Sequence, residues 1–179
     1  MNLLQLARAK RRIEESFSHA HMTNRERILV LALGNDLFAD DAVGLVASRA
    51  LKTHFPSGVD FVEAAGHGLD LLDDVEGRDC VLLLDSIVTG VREPGSLVEL
   101  TEKDFGPSGP GSPHSSGLPE ALLLARKLSL SLPRHLRVLA MEIRHTTILG
   151  TGLSAQIQQS MPAFISRAKE IISAWIERK

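Results

Sequence analysis

Between Arg27 and the last residue, short uninterrupted apolar runs alternate with stretches whose apolar residues recur every three or four positions. The run ILVLAL (Ile28 to Leu33) has no polar alternation, the mark of a strand covered on both faces. Gly34 and Asn35 break it, and Val43, Val46, Ala47, Ala50 and Leu51 then follow at helical spacing. Asp40 and Asp41 stand where that helix begins, in position to accept hydrogen bonds from its free N–H groups and to favour its positive end. The Pro56-Ser57-Gly58 turn introduces a second strand, VDFVEA. Gly66 and Gly68 lead into a short helix carrying Leu69, Leu71 and Leu72.

A third continuous run, Cys80 to Leu84, ends at Asp85. The strand SLVEL follows after only a short Pro94-Gly95 loop, too little chain for a crossover helix, so it is expected to run antiparallel to the others. Thr101 to Ser116 is rich in Gly, Pro and Ser and reads as a long exposed loop, of a length that is often functional. A leucine-rich helix is expected from about Gly117 to Leu130, with Pro119 tolerated in its first turn. The strand LRVLAMEI comes next. A final helix starts near Ser154 and turns Ile157, Met161, Phe164, Ile165, Ala168, Ile172 and Trp175 inward. Strands alternating with helices imply an α/β fold, a three-layer sandwich around a mostly parallel sheet.

The chain has 179 residues, a length that suits one domain, expected at 27–179 behind an N-terminal helical extension, 1–26. The extension reads as an appended surface helix, with a docking segment for a partner as the other reading. Its basic residues follow its short apolar start, the reverse of a secretory signal. No apolar run approaches the roughly 20 residues that span a bilayer, so no membrane insertion is expected. A formal net charge of −2 and an aromatic share of 4% leave neither a basic face nor stacking platforms for nucleic acid. Cys80 is the only cysteine and cannot bridge internally, which favours a reducing compartment and a cytoplasmic protein.

Sites in open α/β sheets form beyond the carboxyl ends of the parallel strands. Asp40 and Asp41, Gly66-His67-Gly68 and Asp85 all fall there from sequence order alone. Asp85, directly after Val-Leu-Leu-Leu, is the sharpest: a carboxylate there is costly to bury unless a cleft, a cation or several donors receive it, although a loop cap on the strand end would also account for it. Asp41 competes with the plain reading that both neighbouring acids are first-turn residues. His114, within SGPGSPHSSG, is an ordinary loop histidine when taken alone. Two carboxylates and an imidazole together would suit a divalent transition ion, but nothing in their spacing brings them together. His67 and His145 read more simply as loop residues, and Cys80 as a small buried hydrophobe. Gly-x-Ser-x-Gly, His-Glu-x-x-His, Walker and dinucleotide glycine motifs are all missing from the sequence.

GNDLFADDAVG (Gly34 to Gly44) resembles a signature of the hydrogenase maturation proteases, endopeptidases that trim the C-terminal extension from nickel-iron hydrogenase large subunits. The resemblance continues in order through GHGLDLL (Gly66 to Leu72), VLLLDSI (Val81 to Ile87), EPGSL (Glu93 to Leu97) and SPHSSGLPEAL (Ser112 to Leu122). It implies a five-stranded mixed sheet in an α/β/α sandwich with one antiparallel strand. It also implies that Asp41, Asp85 and His114 converge as the catalytic, metal-reading site. Asp41 is the shorter variant of a position that is Glu in some members, and Ala42 stands where many have Gly. The partner implied is the immature large subunit, with nickel delivered by that substrate and no permanently bound cofactor. Cleavage would fall near the substrate's C-terminal cysteine motif, with the metal polarising the scissile carbonyl or activating water, or with Asp41 as general base. A monomer is the simplest expectation at this size. The competing readings are a non-catalytic nickel-checking chaperone of the large subunit and a small α/β hydrolase with its own catalytic metal.

Overall fold

Five strands form one mixed sheet in the order β2-β1-β3-β5-β4, seen in a computed structural model that describes residues 26–64, 68–101, 104, 118–144 and 149–178. The strands are β1 (Ile28–Leu33), β2 (Val59–Ala64), β3 (Cys80–Ile87), β4 (Leu97–Thr101) and β5 (His135–Glu142). The helices are α1 (Val43–Lys52), α2 (Leu72–Val75), α3 (Leu118–Lys127) and α4 (Ala155–Ile176). A 3-10 turn, Ala39–Ala42, leads into α1, and another, Gly68–Leu71, leads into α2. The N-terminal extension apart from Glu26, most of the Thr101 to Ser116 loop, and His67, His114 and His145 lie outside the described residues.

Strand alternation divides the core into two layers. Ile28, Val30, Leu82, Leu84, Leu139 and Met141 face α1 and α4, which supply Val43, Leu51, Phe164 and Trp175. Leu29, Leu31, Leu33, Val81, Leu83 and Val138 face the other way, toward Leu71, Leu72, Val75, Leu122 and Ala125. Residues of both parities in β1 and β3 are buried, which is why those runs show no polar alternation. The result is the expected α/β/α sandwich. β1, β2, β3 and β5 run parallel, and β4 pairs antiparallel with β5, as the short connection requires. No helix among the described residues is long and apolar enough to cross a membrane.

Some elements differ from the sequence reading. β3 does not stop at Leu84 but continues to Ile87, because β5 goes on pairing with it through Ile87↔Glu142 after pairing with β1 has ended at Ala32↔Leu84. Asp85 therefore lies within a strand, at the point where β3 outruns β1. The short helix after Gly68 begins as a 3-10 turn, with Leu69 57% exposed and Leu71 and Leu72 buried. In α4, Ile171 is buried and Ile165 only partly so.

Candidate active site

The site residues sit at the carboxyl edge of the sheet, and two glycines allow the chain to reach it. Gly34 ends β1 with a φ of +144°, and a Cβ there would lie 2.3 Å from the Asp41 carbonyl oxygen. Only a residue without a side chain lets the turn fold back so closely. Gly44, in the first turn of α1, sits against the ends of two strands: a Cβ there would lie 2.5 Å from both the Leu33 and the Leu84 carbonyl oxygens. The helix thus starts directly above the junction of β1 and β3.

The two acids of the Asp-Asp pair part company in the turn between these glycines. The turn is held by Asp41 N–H donating to the Phe38 carbonyl at 2.7 Å and Ala39 N–H donating to the Gly150 carbonyl at 2.9 Å. Asp40, half-buried, accepts from the Ser154 N–H at 2.6 Å and so ties the turn to the start of α4. Asp41 points into the protein and is 2% exposed. Both acids lie in the first turn of the 3-10 helix, as their place in the sequence suggested, while the residues at the N-cap positions of that turn and of α1 are Phe38 and Ala42.

Ser86 joins the two acids singled out in the sequence. Its hydroxyl donates to Asp41 Oδ1 at 2.8 Å, and its backbone N–H donates to Asp85 Oδ1 at 2.8 Å. Asp85 is 1% exposed and Ser86 fully buried. Carboxylates 44 positions apart in the chain thus both bond to one residue at the rim of the sheet. Burying two such groups is costly unless donors or a cation receive them. Among the described residues no buried side-chain nitrogen or oxygen lacks a hydrogen-bond partner. Two carboxylates supply hard oxygen donors for a divalent ion but are too few to enclose one. No cluster of three His, Cys, Asp or Glu side chains able to hold a metal occurs among the described residues.

A third buried acid lies at the same edge. Glu142, the last residue of β5 and 1% exposed, accepts from Thr89 N–H (2.7 Å), Thr89 Oγ1 (2.8 Å) and Gly90 N–H (2.9 Å). It fastens the start of the β3–β4 connection just past Asp85 and Ser86. Neither Ser86 nor Glu142 stands out in the sequence. The only signals were a polar residue beside Asp85 in an apolar strand, and one acid near the end of LRVLAMEI, which is otherwise apolar after Arg137.

Cys80 is at the far end of β3, away from the acids. Burial, followed by the neighbouring Glu26 carboxylate that accepts from its Sγ at 3.1 Å, pushes its thiol up to about 12. A thiol held in that state is no nucleophile near neutral pH, and Cys80 is the buried hydrophobe its sequence context suggested.

Comparison with known proteins agrees with this architecture. A family model described as hydrogenase maturation protease matches residues 45–171. The hydrogenase expression/formation protein HupD of Thiocapsa roseopersicina is 30% identical over 158 residues, covering 85% of this chain and 70% of HupD. The hydrogenase 2 maturation protease of Escherichia coli is 33% identical over 104 residues, which are 56% of this chain and 63% of that protein. Among solved structures, the hydrogenase maturating endopeptidase HybD from E. coli superposes with a TM-score of 0.70 at 26% identity, covering 83% of this chain and 93% of HybD.

Proposed function

The chain belongs to the hydrogenase maturation protease family, and from that premise we propose that it is an endopeptidase that removes the C-terminal extension from the nickel-loaded large subunit of a nickel-iron hydrogenase. The observation that carries this reading is the meeting of Asp41 and Asp85 at Ser86 on the sheet's carboxyl edge. Their oxygens grip the nickel that the substrate brings, and His114 completes the donor set from the segment that precedes α3. An imidazole nitrogen added to two carboxylates suits a divalent transition ion. The nickel belongs to the substrate, so the protease carries no cofactor of its own.

Ser86 sets the aim of both acids. Its hydroxyl and its N–H occupy one oxygen of each carboxylate and limit their rotation. The nickel signals that the precursor is ready, and gripping it lays the adjacent peptide bond along the rim. Hydrolysis then adds the hydroxyl of water to the carbonyl carbon and a proton to the leaving amine. The ion can polarise that carbonyl or activate the water. Alternatively Asp41 takes the water proton as general base. An unmoved pH profile in an Asp41→Glu variant would count against Asp41 as the base.

The test is to incubate the protein with nickel-loaded and nickel-free precursor and compare intact masses. Loss of a C-terminal peptide from the loaded precursor alone is expected. Unchanged mass for both, or equal trimming of both, contradicts the proposal. Stable binding of the loaded form without cutting would instead point to a nickel-checking chaperone.

A further inference from the structure

Five of the large apolar side chains most exposed among the described residues share one edge of the molecule. Leu37 (65% exposed) follows β1, Leu69 (57%) follows β2, Val88 (40%) and Val91 (83%) follow β3, and Leu149 (73%) follows β5. These are the loops at the carboxyl ends of the four parallel strands, the edge that holds Asp41 and Asp85. Leu37 and Leu149 are brought side by side, since Gly150 N–H donates to the Leu37 carbonyl at 3.1 Å beside the Phe38↔Gly150 bridge. Single exposed apolar residues are ordinary, but a gathering at one edge marks an interaction surface.

The loop bearing Val91 is also built to hold it out. Glu142 receives Thr89 and Gly90 at one end of the loop. At the other end Gly95 N–H donates to the Glu142 carbonyl and Glu142 N–H to the Ser96 carbonyl, both at 2.8 Å. Gln156 of α4 donates to the Pro94 carbonyl at 2.9 Å. A Cβ on Gly95 would lie 2.3 Å from Ser160 Oγ, so the loop also packs tightly on α4. Between these anchors, a β-branched apolar side chain stands almost fully in water. Holding a loop in its binding conformation lowers the entropy cost of association.

The geometry points to this rim as the docking surface for the folded body of the protein substrate, with Glu142 as the positioning residue that presents Val91. This rests on the function proposed above. The acids are 2% and 1% exposed, so a bond is reached only by a projecting segment while the surrounding rim meets the rest of the substrate. The chemistry predicted for the partner is an apolar patch flanking the base of its C-terminal tail.

The experiment measures the affinity of immobilised nickel-loaded precursor for the full chain and its variants. Val91→Asp and Leu37→Asp should each raise Kd on the order of tenfold, the loss from one buried aliphatic side chain. Leu128→Asp, 60% exposed at the opposite edge just before β5, should leave Kd within twofold. Glu142→Gln should weaken binding as Val91→Asp does, and the double variant should be no weaker than either alone, since both act through one loop. Unchanged Kd in the rim variants, an equal loss in Leu128→Asp, or no binding of precursor by the unaltered chain overturns the inference. Fully additive losses would overturn the positioning role of Glu142. Binding does not require cutting, so a chain that docks by the rim yet leaves precursor mass unchanged would refute the proposed activity and not the surface.

Discussion

Replacing Gly44 by Ala tests how closely α1 approaches the sheet, and with it the placement of Asp41. The new Cβ would lie 2.5 Å from two backbone carbonyl oxygens, where ordinary contact begins at 3.4 Å, so the helix must back away by 3.4 − 2.5, about 0.9 Å. Neither oxygen sits on a flexible side chain; they belong to the ends of β1 and β3. Overpacking of this kind costs up to about 3 kcal/mol. Ala gains at most ~1 kcal/mol of helix propensity over Gly, which leaves a net loss of about 2 kcal/mol. For a domain of this size that lowers Tm by roughly 4–8 °C. Urea unfolding followed by the fluorescence of Trp175, the only tryptophan and 3% exposed, reads the loss directly. Because Asp41 lies three residues upstream, cleavage should fall further than stability does. A variant equal to or more stable than the parent would refute the close approach, since propensity alone would then decide the sign.

Ser86→Ala removes the hydroxyl that donates to buried Asp41, which should cost about 1–3 kcal/mol in urea unfolding and slow cleavage even where the protein remains folded. Acid should destabilise the protein through carboxylates held below their usual range: Asp36 and Glu99 chiefly by hydrogen bonds from Arg49 and Arg167, and Asp79 by Arg27 and Arg134 working against its burial. Because the folded values are depressed, this stability is complete above about pH 5 and drains away as pH falls through them, below roughly 4. Urea midpoints measured across that range should fall with acid, and Asp79→Asn should flatten the slope; a slope that stays as steep in the variant would contradict the assignment. Cys80 should resist iodoacetamide at pH 8 in the native protein and react once urea unfolds it, as mass spectrometry would register; rapid native labelling would contradict its burial.

The sheet was readable because β1 and β3 are covered on both sides and carry no polar residue until Asp85. The antiparallel β4 was readable from the shortness of the chain between it and β3. Asp85 was visible as a charge at the end of an apolar run, but its place inside β3 was not, because it depends on how far β5 continues to pair. The partner of Asp41 is a side chain 45 positions away, and a lone serine in a strand carries no mark of that contact. Asp40 and Asp41 look alike in sequence; the fold separates them by turning one toward Ser154 and the other toward Ser86. Glu142 looked like one more strand residue, since its role depends on a loop some 50 positions earlier. That the two acids form one site is an expectation carried by family resemblance alone, and His114 lies outside the described residues.

The central claim, that both buried acids read the metal of an incoming substrate and direct its cleavage, is tested most directly by intact-mass analysis of nickel-loaded precursor after incubation with the unaltered chain, Asp41→Asn, Asp85→Asn and His114→Ala. The account predicts a shortened precursor with the unaltered chain and full-length precursor with each variant, while urea midpoints show that the Asp41 and His114 variants remain folded. Trimming at the normal rate by a variant that has lost either acid would contradict it.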